Sequence, residues 1–220
     1  MLRRLTRATA LALAMVVGLV VLYRVVDPPL TPLMVRNAVA YGVHKRWVGL
    51  DQIAPTLVRA VITAEDARFV EHRGVDWEAI RRARDYNARH GDEPRRGGST
   101  ITMQCARNVF LWQGKSYLRK GLEIAMAYLL ELAWGKRRIL EVYLNVIEWG
   151  PGVYGAEAAS ERYFGIPAAD LGPQQAALLA AALPNPLRWS PGAPTPYLRA
   201  RALVIERRAM HVRLDALRAR

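Results

Sequence analysis

The sequence predicts a mainly α-helical domain behind one apolar N-terminal helix. Apolar residues recur at helical spacing through most of the 220 residues, whereas few segments alternate with period 2 or are rich in Val and Ile. Apolar residues make up 52% of the chain, which is enough for a substantial core and argues against a disordered protein. We find no internal repeat, so we expect one helical domain.

The first element is a run of 16 uncharged residues, 8–23, which follows Arg3, Arg4 and Arg7 and ends at Arg24. A membrane-spanning helix usually needs about 20 residues, but flanking arginines can extend their guanidinium groups to the polar interface. A cleaved signal peptide is the alternative, although no small-x-small cleavage site follows the run. We expect an uncleaved anchor with a cytoplasmic N terminus, because clustered arginines precede it.

These features divide the chain into three parts. Residues 1–26 form the cytoplasmic tip and the transmembrane anchor, and residues 27–47 form a linker that begins with a Pro-rich spacer. Residues 48–220 form the helical domain, which would lie on the outer side of the membrane.

The net charge of +13 indicates a basic surface, which suits nucleic acid, anionic lipid or a phosphorylated substrate. A domain outside the cytoplasm does not meet nucleic acid, so we expect no such partner. The single cysteine, Cys105, excludes a disulfide framework or a zinc cluster within the chain. It lies in an apolar-periodic stretch and is predicted to be a small core residue.

Helical patterns fill the domain in order, at residues 54–69, 76–91, 99–112, 116–149, 172–186 and 195–220. Their boundaries carry capping signals. Asp76 is a predicted N-cap, as are Ser99 and Thr100 at the third pattern. Gly135 breaks the long fourth pattern, and Pro173 stands near the start of the fifth.

Two acids continue the apolar face of the first helical pattern. Positions four apart on a helix differ by about 40°, so Glu65 follows Leu57 and Val61 on one stripe that should face the core. Asp66 continues the neighbouring stripe. A partly buried carboxylate has a raised pKa, which suits a general base near neutral pH.

The alternative is that the helix ends here and both acids are solvated, or that Arg68 and Arg73 pair with them. His72, which follows shortly, is by itself more often a capping or hydrogen-bonding residue than a catalyst. The helical pattern alone does not decide between these readings.

Two further motifs combine polar and basic residues. In the first, Gly97 and Gly98 let the backbone approach a ligand, and a helix start follows whose free N–H groups favour an anion. On that helix Gln104 and Asn108 share a face, with Arg107 beside them.

The second motif places Arg119 and Glu123 four residues apart, with Lys120 beside Arg119. A local salt bridge is the simplest interpretation, but Glu123 borders apolar sequence. A further block, residues 136–165, gives a helix whose apolar face includes Tyr143, followed by a Gly-rich turn segment that begins near Asn145.

Together, these blocks resemble the family 51 peptidoglycan glycosyltransferases in their monofunctional form. The resemblance covers residues 48–191 and rests on five motifs in order: "EDARFVEHRG", "GGSTITMQCARN", "RKGLEIAMAYLLE", "KRRILEVYLNVIEWGPGVYGAEAASERYFG" and the weaker "QQAALLAAALPNPLRWSP". Met103 departs from the pattern where a second Gln is common, and Arg107 where Lys is common. Both departures concern the geometry of the donor site.

The resemblance implies a lysozyme-like α fold and lipid II as substrate, with the growing glycan chain as glycosyl donor and moenomycin as inhibitor. It makes Glu65 the general base and Glu123 the second catalytic carboxylate. No cofactor is required, but a divalent cation, Mg or Mn, near Glu123 is an option. The substrate-binding residues that it implies are Asp66, Phe69, His72, Gly98, Ser99, Thr100, Gln104, Arg107, Asn108, Arg119, Lys120 and Asn145.

It also implies a place at the bacterial inner membrane, with a periplasmic catalytic domain and the lipid bilayer as a partner. Cell-division and cell-wall synthesis proteins are further candidate partners. One alternative function is a lysozyme-like or lytic enzyme that cuts finished glycan, which would need no basic donor site. Another is a non-catalytic, membrane-tethered basic module, which explains the charge but not the placement of Glu65 and Glu123.

Overall fold

The computed structural model describes residues 2–91, 97–114 and 116–217. Over these residues the chain forms ten α-helices and a small sheet. The helices are α1 (Leu2–Tyr23), α2 (Pro32–Tyr41), α3 (Pro55–Glu65), α4 (Trp77–Arg89), α5 (Ile101–Phe110), α6 (Tyr117–Ala133), α7 (Gly135–Val146), α8 (Ala156–Phe164), α9 (Pro173–Ala182) and α10 (Pro196–Ala209). The predicted mainly α fold is confirmed.

The helix boundaries follow the capping signals in the sequence. The Asp76 carboxylate accepts a 2.8 Å hydrogen bond from the Ala79 amide at the start of α4. At α5 the cap is Thr100, whose hydroxyl oxygen accepts from the Met103 amide at 3.1 Å. Gly135 separates α6 from α7 with a φ of 72°, a backbone conformation that glycine adopts without strain.

The sheet was not predicted, because strands of two or three residues leave no alternating pattern. Its strands are β1 (His44–Lys45), β2 (Glu148–Gly150) and β3 (Val153–Tyr154), with β3 in the middle, parallel to β1 and antiparallel to β2. A Cβ atom at Gly152 would overlap the Tyr41 carbonyl, so the turn between β2 and β3 needs a glycine. The sheet joins the linker to the domain.

Helices α3, α5, α7, α9 and α10 enclose the main core. Cys105 on α5 is fully buried there, as predicted, and burial raises the pKa of its thiol. Leu57 and Val61, which define the stripe that leads to Glu65, are also fully buried. The core therefore fixes α3 against α9 and α10, and the candidate site lies at the end of α3.

The C-terminal end of α1 packs on the domain. The Trp134 indole N–H donates to the Val20 carbonyl at 2.7 Å, and the Arg138 guanidinium donates to the Tyr23 carbonyl at 3.0 Å. In the part of the chain that the structure describes, none of the helices combines the length and apolarity needed to cross a bilayer. The membrane anchor and the boundaries at residues 26 and 47 stay predictions.

Candidate active site

Glu65 is the last residue of α3 and is half-buried. The helix stops because Asp66 leaves helical geometry, with φ at −162° and ψ at 74°. The sequence alternative is therefore right that the helix ends here but wrong that both acids are solvated, since Asp66 is only 8% exposed. Among the described residues, neither Arg68 nor Arg73 forms an ion pair with either acid.

A chain of hydrogen bonds holds the Glu65 carboxylate. The Gln104 side-chain amide donates to its Oε2 at 2.7 Å, and the Tyr143 hydroxyl donates to the Gln104 Oε1 at 3.3 Å. Burial raises the pKa of Glu65, while the Gln104 hydrogen bond and the positive charges of Arg201 and Arg107 partly oppose the rise. The result is a carboxylate that is held in place and has a raised pKa.

Asp66 has a different role from Glu65. Both of its carboxylate oxygens lie 3.0 Å from the His72 Nε2, and Oδ2 also accepts from the Ile101 amide at 3.0 Å. It therefore ties the end of α3 to the first turn of α5. The fully buried Phe69 ring meets His72 edge-on at 6.4 Å between centroids. These three residues support the surroundings of Glu65.

The Gly-rich segment before α5 closes over α4. A Cβ atom at Gly98 would lie 2.8 Å from the Ile80 Cα, so only glycine permits this approach. The buried Thr100 hydroxyl donates to the Gly74 carbonyl at 2.5 Å. Arg95 and Arg96, which precede this motif, lie outside the described residues.

A cavity of about 190 Å³ opens between α3, α4 and this segment, and we call it the loop cavity. Its lining includes Glu65, Asp66, Gly98, Ser99 and Thr100. The structure thus brings the first acid motif and the Gly-rich motif to one cavity, as the resemblance implies.

Glu123 on α6 is only 1% exposed and is held by two cations. The Lys120 Nζ lies 3.1 Å from its Oε2, and the Arg119 guanidinium forms an ion pair with its Oε1. Lys120 also donates to the Ser99 hydroxyl at 2.8 Å, which joins α6 to the Gly-rich segment. The predicted local ion pair between Arg119 and Glu123 is present, but it is buried. Lys120, which also contacts Glu123, connects it to the Gly-rich motif.

The charge of Arg107 acts on Glu65 and on the two cations that hold Glu123. It partly opposes the burial that raises the pKa of Glu65, and it adds to the burial that lowers the pKa values of Arg119 and Lys120. Burial lowers the pKa of Lys120 first, and the two arginines bring it to about 8 although its ammonium touches Glu123. We call Arg107, Arg119 and Lys120 the cationic cluster.

A second cavity of about 290 Å³, the helix cavity, lies between α2, α5, α7 and the segment after α9. Gln104, Arg107 and Asn108 line it, as the shared face of α5 predicts. Asn108 is 4% exposed, and its side-chain carbonyl is 3.5 Å from the Gln113 amide nitrogen. Gln104 connects the cavities, because it lines this one and binds Glu65, which lines the other.

Asn145 does not present its side chain to either cavity. It is fully buried on α7, where its carbonyl accepts from the Val48 amide at 3.0 Å. Its amide donates to the carbonyls of Val48 at 2.9 Å and Glu141 at 2.8 Å. Every polar group of the side chain is therefore used internally, and a substrate-binding role for Asn145 has no support in this geometry.

The surroundings of Glu123 do not fit a divalent cation. Arg119 and Lys120 already neutralise its carboxylate. Within residues 2–91, 97–114 and 116–217, no group of three or more His, Cys, Asp or Glu side chains could hold a metal ion.

Three residues near the site carried no functional signal in the sequence. Tyr143 was assigned only to an apolar helix face, yet its hydroxyl orients Gln104. Arg201 acts on Glu65 from α10, which packs against α3. Glu148 lines the helix cavity and accepts a 2.8 Å hydrogen bond from the Asn37 amide on α2. No local pattern could reveal these residues, because their roles depend on contacts between distant helices.

The chain is similar to known proteins over most of its length. A protein from Rhodospirillum centenum named "Biosynthetic peptidoglycan transglycosylase" is 54% identical, and the alignment covers 100% of this chain and 95% of that protein. Proteins of the same name from Caulobacter vibrioides and Bdellovibrio bacteriovorus are 51% and 50% identical, over 98% and 88% of this chain and 96% and 80% of theirs. The family model described as Transglycosylase matches residues 34–210. The chain therefore belongs to the Transglycosylase family.

Proposed function

We propose that this chain is a peptidoglycan glycosyltransferase that polymerises lipid II into linear glycan strands during cell-wall synthesis, with Glu65 as its general base. The family match and the shared name of the relatives support the activity. The observation that carries the assignment of the base is the half-buried Glu65 carboxylate, which has a raised pKa and is bound by Gln104, a side chain that shares the helix cavity with Arg107.

In the proposed reaction, Glu65 takes the proton from the 4-hydroxyl of the incoming GlcNAc. The hydroxyl oxygen then forms a bond to the anomeric carbon of the lipid-linked MurNAc at the end of the growing chain. The bond between that carbon and the pyrophosphate oxygen breaks, and its electron pair leaves with undecaprenyl pyrophosphate. Attack from the face opposite the leaving group inverts the anomeric centre from α to β. A carboxylate with a raised pKa suits this proton transfer.

The cationic cluster stabilises the negative charge that develops on the pyrophosphate. The charges of Arg107 and Arg119 act on Lys120, and guanidinium groups can hold phosphate oxygens in pairs. Glu123 is a positioning residue in this scheme, because its buried carboxylate holds Arg119 and Lys120 in place. Ser99, bonded to Lys120, aligns the Gly-rich segment with them.

Because the proposed substrate carries a lipid tail, the N-terminal segment would anchor the enzyme in the membrane that holds the substrate. We place α1 in the bacterial inner membrane with the catalytic domain on its periplasmic side, on the strength of the uncharged run 8–23 behind three arginines. The hydrogen bonds from Trp134 and Arg138 to α1 would then hold the candidate active site at a fixed distance from the lipid surface.

The direct test is polymerisation of labelled lipid II by the purified full chain in detergent. Wild type should produce strands that lysozyme digests, and moenomycin should inhibit their synthesis. Glu65→Gln should fold normally but lose about 10²- to 10⁴-fold in rate, the usual contribution of a general base. Glu71→Gln, an exposed acid nearby, serves as the control and should keep full activity.

A Glu65→Gln variant that polymerises at the wild-type rate would exclude Glu65 as the base. Release of fragments from finished glycan, without lipid II, would instead favour the lytic alternative. Binding of lipid II without any product would favour the non-catalytic alternative.

A further inference from the structure

A third cavity, outside the proposed reaction site, lies beside the β2–β3 hairpin. It has a volume of about 290 Å³, and we call it the hairpin cavity. Its walls come from the hairpin, from α8 and from the segment that connects α9 to α10. The side chains that define it are Val153, Arg162, Tyr163, Arg188 and Trp189.

The aromatic wall of this cavity depends on two glycines, which have no side chain to displace Tyr163. A Cβ atom at Gly150 would overlap the Tyr163 hydroxyl, and one at Gly192 would lie 3.4 Å from the Tyr163 ring. The ring is therefore held between two glycines. Trp189 provides a second aromatic surface and packs against Tyr197 at 5.5 Å between ring centroids. Aromatic walls with a few polar groups are typical of ligand sites.

Two arginines supply the charge. Arg162 and Arg188 are both exposed at the cavity, and among the described residues no carboxylate forms an ion pair with either. An unpaired guanidinium offers its planar pair of N–H groups to a carboxylate or a phosphate. The cavity thus combines flat apolar surfaces with two anion-binding groups.

The hairpin cavity adjoins the helix cavity. Pro186 and Leu187 line both of them, so one short segment forms the wall that they share. The helix cavity in turn contains Gln104 and Arg107. A polymer whose reducing end lies at the cationic cluster would therefore need to pass only Pro186 and Leu187 to reach the hairpin cavity.

We propose that the hairpin cavity binds a completed disaccharide-peptide unit of the growing strand, with Arg162 and Arg188 on the carboxylates of its peptide stem and Tyr163 and Trp189 against its sugars. This inference rests on the proposed function, since that reaction produces such a strand. Its consequence is retention: the strand stays bound between additions, so the enzyme makes longer glycan.

The first test measures binding of lipid-free glycan fragments, with their peptide stems, to the full chain by calorimetry. The double variant Arg162→Gln/Arg188→Gln should bind about tenfold more weakly, as expected for the loss of two solvent-exposed ion pairs. Arg199→Gln/Arg207→Gln, two exposed arginines of α10, is the matched control and should bind as wild type does. Fragments stripped of their stems by an amidase should bind both proteins equally weakly.

The second test measures strand length on gels with labelled lipid II. The double variant should start polymerisation at the wild-type rate and release shorter strands. Unchanged affinity or unchanged strand length would overturn the inference, while polymerisation by wild type would leave the proposed function intact. An equal loss of affinity for stripped fragments would also overturn it, because the arginines would then act on the sugars. If wild type made no polymer, the proposed function itself would fail.

Discussion

The side-chain amide of Gln104 donates a 2.7 Å hydrogen bond to the carboxylate of Glu65, which joins the end of α3 to the face of α5. The same side chain accepts from Tyr143 at its other end, so its orientation is fixed. The bond stabilises the ionised form of Glu65 against the burial that raises its pKa. Gln104 thus influences the pKa of Glu65, the proposed base, and also lines the helix cavity.

Replacement of Gln104 by Met should remove this hydrogen bond and raise the pKa of Glu65 further. The acidic limb of the kcat/KM profile should then move to higher pH, because Glu65 acts as a base only when ionised. We expect roughly tenfold lower kcat/KM below neutral pH, the scale of one hydrogen bond to a charged group. Tyr143→Phe should shift the limb in the same direction but less. An unmoved limb in Gln104→Met would contradict this role.

Arg201→Gln, on a different helix, should also shift the acidic limb of the kcat/KM profile. The Arg201 charge lowers the pKa of Glu65, so its removal should raise that pKa and move the acidic limb to higher pH. Rates on the alkaline side should change little, because Glu65 is fully ionised there. Arg199→Gln on the same helix is exposed and should leave the profile unchanged. Identical profiles for the Arg201 and Arg199 variants would show that Arg201 does not influence the base.

The deprotonation of Lys120 should determine the alkaline limb of the kcat/KM profile. Burial and the neighbouring arginines lower its pKa to about 8, so the free enzyme carries the charge below that pH and loses it above. Since kcat/KM reports the free enzyme, it should fall as the pH rises through about 8. Lys120→Arg should remove this limb, because arginine stays protonated. Persistence of the limb in Lys120→Arg would assign it to another group.

Asn145→Ala should reduce stability rather than substrate affinity. The substitution leaves the Val48 amide and carbonyl and the Glu141 carbonyl without their side-chain partner. We expect a loss of about 2 kcal/mol, or about 5 °C in melting temperature for a domain of this size. The KM for lipid II should not change. A raised KM with an unchanged melting temperature would instead restore the substrate-binding role that the resemblance implies.

Periodicity and capping signals in the sequence determined the local structure. They predicted the mainly helical fold, the caps at Asp76 and Thr100, the break at Gly135 and the buried Cys105. These features depend on residues within a few positions of one another, because a helix repeats every 3.6 residues and its ends use neighbouring side chains. The stripe through Leu57 and Val61 likewise indicated that Glu65 would meet the core.

Tertiary structure determined which groups each polar side chain of the candidate site contacts. Adjacent positions carry Glu65 and Asp66 and both line the loop cavity, yet tertiary contacts give Glu65 a hydrogen bond from Gln104 and Asp66 a structural bond from Ile101. Packing also brought Tyr143 to Gln104, placed Arg201 where its charge acts on Glu65, and buried Asn145 in the interior. The physical reason is that the pKa and orientation of a side chain depend on burial and on groups from distant helices, which local spacing does not specify.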